Sequence, residues 1–368
     1  MDVVEICCGM GGARKAFVDS GFNVVQSIDV DEKVCDFHRE FWGDVDNYDI
    51  SECDFKKVKS ANVLSAGFPC QPFSTSGYRT GFEHQQGNVF TALLQLADEK
   101  KFDAIFLENV QGLLSNDKNR TFKLILSELS RRYTYVEWIT FNLLSLGIPM
   151  NRPRIIIVAH NFEKEILSEL RDKFYEFPSL DLFSQTENWT NENFSQRYDV
   201  NQLTGVIKNG EYQIQSYELK KTKFNGNLMN FIFKRKIGDF LIHSGRFWGR
   251  TGKTTFYISD NQFSHSVGTS MGGAPTFGFA PEHLTDEVRS YVDEVSNYQT
   301  EHSGYFVFRT KPEETLKFFG PRAEVFYSTL KNFEAPLATK YKLIGNMFAP
   351  DQAFAVTNAL ATLGFGKI

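Results

Sequence analysis

The run Val3-Val4-Glu5-Ile6-Cys7-Cys8-Gly9-Met10-Gly11-Gly12-Ala13-Arg14-Lys15-Ala16-Phe17 (VVEICCGMGGARKAF, residues 3–17) decides the fold class. Val3 to Ile6 is a short apolar run broken only by Glu5, and it reads as a strand. Gly9-Met10-Gly11-Gly12 is a turn, and a helix is predicted from Ala13. Glycines at such a turn let a nucleotide-like ligand approach the backbone closely. Arg14 stands where the third glycine of GxGxxG would be, which counts against a dinucleotide. Outward from this unit the pattern repeats. Asn23 to Ile28 reads as a strand followed by Asp29. Val63 to Ser65 runs into Gly67-Phe68-Pro69. Asp103 to Leu107 ends in Glu108-Asn109, and Ile155 to Ala159 is almost wholly β-branched. Strands alternating with helical stretches predict an α/β fold, a parallel sheet with helices on both faces. In such sheets ligands sit at the carboxyl ends of the strands, where these polar residues fall.

The chain has 368 residues, 42% hydrophobic and 23% charged, enough for a sizeable core and one or two domains. Its 36 phenylalanines read first as core material. The formal net charge of −5 excludes a uniformly basic protein but leaves room for a local basic patch. MDVVEICCGM lacks the pattern of a secretory leader, and no run of about 18 apolar residues predicts a membrane span. The five cysteines, at 7, 8, 35, 53 and 70, lack CxxC spacing. That predicts neither a zinc site nor a disulfide framework, and a cytoplasmic setting is expected.

From about Lys164 to Gly304 the alternation fades. Between Thr204 and Phe256 ten Lys and Arg stand against three Asp and Glu, with Phe224, Phe231, Phe233, Phe247 and Trp248 interleaved. Such a stretch suits either a solvated face or a nucleic-acid surface. Gly249 to Thr254 (GRTGKT) fails as a phosphate loop, because its first glycine would fall at Phe247. Order returns with a helical stretch over Pro312 to Phe319 and a last helix from about Asp351 to Leu363.

The most informative segment is Gly67-Phe68-Pro69-Cys70-Gln71-Pro72-Phe73-Ser74. Prolines on both sides of a cysteine just past a strand hold it on a rigid loop. Continued through Ser76-Gly77, this segment resembles the catalytic motif of the DNA cytosine-5 methyltransferases. The glycine turn within Ile6 to Phe17, Glu108-Asn109-Val110, Gly147-Ile148-Pro149 through Arg152-x-Arg154, and Gly345-Asn346 resemble that family's other motifs, in the same order. The resemblance covers about the first 160 and the last 60 residues. Departures are Cys7 where a Phe is usual, Val30 in place of a bulkier residue, Met150 in place of Gln, and Met347-Phe348 in place of Ser-Val.

The resemblance implies a Rossmann-like S-adenosylmethionine-dependent fold and methyl transfer to carbon 5 of cytosine in duplex DNA. Cys70 would be the nucleophile, Glu108 the proton partner at ring nitrogen 3, and Arg154 a contact to the base carbonyl. Arg152 would meet a phosphate or the nucleophile loop. Gly9, Gly11, Asp29, Asp49, Pro69 and Asn346 would line the cofactor site, although Asp29 suits a helix N-cap equally well. Phe68, Gln71, Ser74 and Ser76 would face substrate, and Ser76 to Gly87 would close over a flipped base. Residues 1–183 and 305–368 are expected to form the catalytic domain. Residues 184–304 would form a target-recognition domain, with Ser264 to Gly273 as a loop entering the DNA groove. No metal is expected. The implied partners are double-stranded DNA and a cognate restriction endonuclease, with the chain itself a monomer. Open alternatives are an RNA (tRNA) cytosine-5 methyltransferase, a catalytically inactive DNA-binding relative and a Rossmann oxidoreductase.

Overall fold

The structure is a computed structural model and describes residues 1–69, 89–176, 185–188, 203–214, 218–220, 242–248, 255–259, 264–265, 275–279, 281–302 and 304–366. The opening unit forms as its sequence dictates. Strand β1 (Asp2–Ile6) enters the glycine turn, and helix α1 (Gly12–Asp19) follows. β2 (Asn23–Asp29) leads to α2 (Glu32–Trp42). The Asp31 carboxylate caps α2 by accepting from the Lys33 and Val34 N–H groups, and Gly43 at φ 90° ends it. β3 (Asp46–Asn47), β4 (Val63–Ala66), α3 (Val89–Lys100), β5 (Ala104–Val110) and α4 (Arg120–Ser130) complete the first half.

The strand order in the large sheet begins with Gln185–Asn188, Glu211–Ile214 and Thr204–Lys208. It continues through β6 (Tyr135–Asn142), β8 (Pro153–His160), β5, β4, β1, β2 and β3, while the short β7 (Met150–Asn151) lies outside it. The pairings among β1 to β5 are parallel. β8 is antiparallel to both β5 and β6, and the three outer strands extend the antiparallel half. The α/β class is the one expected, and the parallel half carries the motif-bearing strand ends. Thr204–Lys208 and Glu211–Ile214, placed with the recognition segment by sequence, pair instead with β6 and with each other. Their buried Val206, Ile207 and Tyr212 cover the core beside Trp138, which Tyr212 stacks on at 5.7 Å.

β6 is an element that sequence analysis does not single out. Glu137 interrupts its apolar run, yet Glu137 is 0% exposed. Its carboxylate accepts from the Ile166 and Leu167 N–H groups, lies 2.9 Å from His160 Nε2, and is approached by Arg171. A buried carboxylate persists only with partners of this kind.

A separate antiparallel sheet orders Thr255–Ser259, Ile242–Trp248, Thr276–Phe279, Tyr305–Thr310 and Ser296–His302. Phe277, Phe279 and Phe308 of this sheet share a core with Leu316, Phe318, Tyr341 and Met347, and with Met10 and Phe37 of the first half. The predicted last helix appears as Pro350–Ala359, continued by a wider turn over Leu360–Gly364.

Candidate active site

The glycine turn is built around positive φ. Gly9 sits at +56° and Gly11 at +83°. A Cβ on Gly11 would lie 2.1 Å from Trp42 Nε1, and one on Gly12 would lie 2.0 Å from the Phe348 carbonyl oxygen. Both positions therefore exclude any side chain. Cys7 adopts φ 54° without that freedom, an uncommon conformation for a residue with a Cβ. Burial pushes its thiol up to about 12, so it stays protonated and unreactive.

Asp29, at the carboxyl end of β2, accepts from the Gly9 N–H at 3.0 Å and from the Asp31 N–H at 3.0 Å. It thus ties the glycine turn to the start of α2, while the helix cap itself is Asp31. Burial raises the Asp29 carboxyl, opposed by those two hydrogen bonds. Asp49 accepts from the Ser51 N–H at 2.9 Å and from the Ser51 hydroxyl at 2.6 Å, capping its own short turn.

Glu5 lies under the turn. It accepts from the Arg14 N–H at 3.2 Å and from the Ser27 hydroxyl at 3.1 Å. Glu5 therefore caps α1 from the neighbouring strand, where Gly11 has no side chain to do so. Glu5, Cys8 and His38 bring their potential ligand atoms within 4.8 Å of one another. Arg14 donates to His38 Nε2 at 3.2 Å and to Ser27 Oγ at 3.3 Å. The positive charge among these groups is thus supplied by a guanidinium.

The second pole is on β5 and β8. Val110 pairs with Arg154 and Glu108 with Ile156, so Glu108 and Arg154 are diagonal neighbours on one face. Arg154 Nε reaches Glu108 Oε1 at 2.9 Å. Burial raises the Glu108 carboxyl, and the Arg154 and Arg152 guanidinium groups oppose that rise. Asn109 Nδ2 donates to the Phe68 carbonyl at 2.8 Å, which fixes the turn leading from β4 toward Cys70.

Two residues assigned to the site by sequence are deeply enclosed. Arg152 is 1% exposed, and its Nη2 donates to the Gly345 and Met347 carbonyls at 2.9 and 2.7 Å. It clasps the Gly345-Asn346 turn from inside, and a phosphate contact does not suit a guanidinium so enclosed. Phe68 is 3% exposed and packs on Phe90, with ring centroids 5.5 Å apart. Its ring belongs to the core. Cys70, Gln71, Ser74, Ser76 and the loop to Gly87 lie outside the described residues, as does most of Ser264 to Gly273. Of that last stretch, Ser264–His265 pair in parallel with Met150–Asn151, immediately before Arg152.

Gly9, Glu108 and Asn346, expected from three separate motifs, line one cavity. Glu5, Cys7, Cys8, Ala13, Ser65 to Gly67, Phe106 and Phe348 complete its lining. Sequence analysis did not assign Glu5, Ser65, Phe106 or Phe348 to the site. Position at a strand's carboxyl end was the signal available for the first three.

Solved structures with the same fold include the Schizosaccharomyces pombe (S. pombe) Dnmt2 methyltransferase, with TM-score 0.60 and 15% identity over 99% of this chain and 100% of that one. The Entamoeba histolytica methyltransferase EhMeth gives TM-score 0.54 at 15% identity, over 100% of this chain and 99% of the other. The fold is thus that of the Rossmann-like methyltransferases. A family profile described as C-5 cytosine-specific DNA methylase matches residues 1–361, and the chain belongs to that family. Similar curated proteins include the type II methyltransferase M.SsoII of Shigella sonnei, 36% identical over 163 residues, 44% of this chain and 43% of that protein. M.HhaI of Haemophilus parahaemolyticus is 29% identical over 175 residues, 48% of this chain and 52% of that protein. The aligned region thus spans about half or less of each of these relatives' lengths. Among the described residues no helix is long and apolar enough to cross a membrane.

Proposed function

We propose that the protein methylates carbon 5 of cytosine within a specific sequence of double-stranded DNA. The observation that carries this reading is Glu108. Its carboxyl is raised by burial, held by Arg154, and set in one cavity with Gly9 and Asn346. The chain leaves that cavity through Gly67-Phe68-Pro69 directly into Cys70.

The residues present fit S-adenosylmethionine. Gly9, where a Cβ would meet open space, and Asn346 line the cavity and would hold it, with Asp29 and Asp49 close enough to act on the Cys7 thiol. When bound it supplies an electrophilic methyl group. The chain's own residues make the cytosine reactive. Cys70 thiolate adds to ring carbon 6, and the electron pair of the 5,6 double bond shifts so that carbon 5 becomes nucleophilic. Charge reaching ring nitrogen 3 is met by a proton from Glu108, whose carboxyl is raised by burial. Arg154 steadies the base carbonyl and holds Glu108 in place. After carbon 5 gains its methyl group, loss of its proton returns electrons to the ring, and Cys70 leaves carbon 6 with its bonding pair. The base is flipped from the duplex, since carbon 6 is shielded within the stack.

The basic stretch within 184–304 and the antiparallel sheet over 242–310 support a recognition role for that region. The pairing of Ser264–His265 with Met150–Asn151 would link it to the arginine strand. A restriction endonuclease with the same target is the partner this role implies. Bisulfite sequencing of duplex DNA treated with protein and S-adenosylmethionine is the test. The expected result is protected cytosines in one recurring context with the wild-type chain, and none with Cys70→Ala. Methylation of tRNA alone, or turnover by Cys70→Ala, overturns the proposal.

A further inference from the structure

The backbone of the glycine turn is held from behind by one face of α2. His38 and Trp42 are four residues apart and so share a face of the helix. His38 Nδ1 lies 3.2 Å from the Gly9 carbonyl oxygen, and Trp42 Nε1 donates to the Met10 carbonyl at 3.2 Å. Arg14 ties the two side chains together. Its Nη1 meets His38 Nε2 at 3.2 Å, and its guanidinium carbon sits 4.8 Å over the Trp42 ring.

The tautomer follows from these contacts. A guanidinium only donates, so His38 Nε2 accepts and Nδ1 carries the proton that goes to Gly9. Burial pulls the His38 pKa down to about 4, and the Arg14 charge acts in the same direction, against the Gly9 contact and Asp44. His38 is therefore a neutral relay at any working pH. With Asp29 accepting from the Gly9 N–H, the peptide groups on both sides of the Gly9 Cα are held. Neither His38 nor Trp42 lines the cavity that Gly9 walls.

We infer that His38 and Trp42 are positioning residues that set two successive carbonyls of the glycine turn and thereby the affinity for S-adenosylmethionine. This rests on the reading of the cavity as the cofactor site. Losing a hydrogen bond that orients a buried carbonyl is expected to cost about tenfold in affinity.

The experiment is calorimetric titration of S-adenosylhomocysteine, paired with steady-state kinetics on duplex DNA, for His38→Leu, His38→Gln and Trp42→Phe. His38→Leu is expected to weaken binding about tenfold, with KM for S-adenosylmethionine rising in step and kcat falling by less than about threefold. His38→Gln offers a donor and an acceptor again and is expected to recover most of the loss. Trp42→Phe keeps the ring under Arg14 and loses only the N–H, so a loss of about threefold is expected. Wild-type affinity in a folded His38→Leu protein overturns the inference, as does a His38→Gln protein no better than His38→Leu. If His38→Leu does not fold, unchanged affinity in Trp42→Phe overturns it. A wild-type chain that binds no S-adenosylhomocysteine overturns the cavity assignment, and this inference with it.

Discussion

Glu5 and Glu108 are two carboxylates in the same parallel half-sheet, on β1 and β5, and both line the same cavity. Burial raises both, Glu5 to about 7. They differ in what their oxygens meet. Glu5 is 2% exposed, and its oxygens are taken by a helix N–H and a hydroxyl, groups that belong to the fold. Glu108 gives Oε1 to Arg154, while its Oε2 faces the turn at Gly67 that leads to Cys70. One raised carboxyl is spent on holding a helix to a strand. The other keeps an oxygen toward the place where the chemistry is proposed. A perturbed pKa alone does not separate these roles, and the partner list does.

The sharpest break of this comparison is Glu108→Gln. Methyl transfer is expected to fall at least about a hundredfold, the scale of a lost general acid, while S-adenosylhomocysteine affinity stays near wild type. Single-turnover kinetics with saturating duplex DNA checks it, and an unchanged rate would place Glu108 beside Glu5 as a structural carboxylate.

Arg152→Met tests the neighbouring claim that one of the paired arginines serves the fold. Loss of the guanidinium's bonds to the Gly345 and Met347 carbonyls should lower stability by about 3 kcal/mol. Urea unfolding measures this. A stable variant that has lost only DNA affinity would return Arg152 to a phosphate role.

Glu5→Gln should have the smallest effect, on the order of 1 kcal/mol, because the amide keeps one acceptor for the Arg14 N–H. Its signature lies in pH dependence. Between about 4.5 and about 7 the folded Glu5 holds a proton that the unfolded chain has released. Wild-type stability from this group therefore falls as pH rises through that window and levels off above it. The variant should lack that decline, and parallel wild-type and variant profiles would show that Glu5 ionises normally in the fold.

Part of the site was legible because Gly9 and Glu108 lie at strand ends within short segments, whereas Asn346, at the end of a helix, was expected only from the family resemblance; one cavity is lined by all three. The Arg152 clasp was not legible because its partners, Gly345 and Met347, lie at the far end of the chain. β6 went unread because Glu137 breaks its apolar run, and the groups that satisfy Glu137 come from β8, from the Ile166 and Leu167 backbone and from α5 (Ser168–Phe174). Nothing in the sequence singled out His38.

By itself the sequence determined the α/β class, the succession of strand-forming runs along the chain, and the identity of the chemical groups at their ends. Those features depend on periodicity and on glycine and proline, which act within a few residues. Only the tertiary structure decided which buried charges serve the fold and which face the cavity. It also decided that Thr204–Lys208 and Glu211–Ile214 join the large sheet, and that α2 grips the glycine turn. The physical reason is burial: a charged or polar group out of water takes its role from whichever partner satisfies it, and that partner is chosen by packing between distant segments.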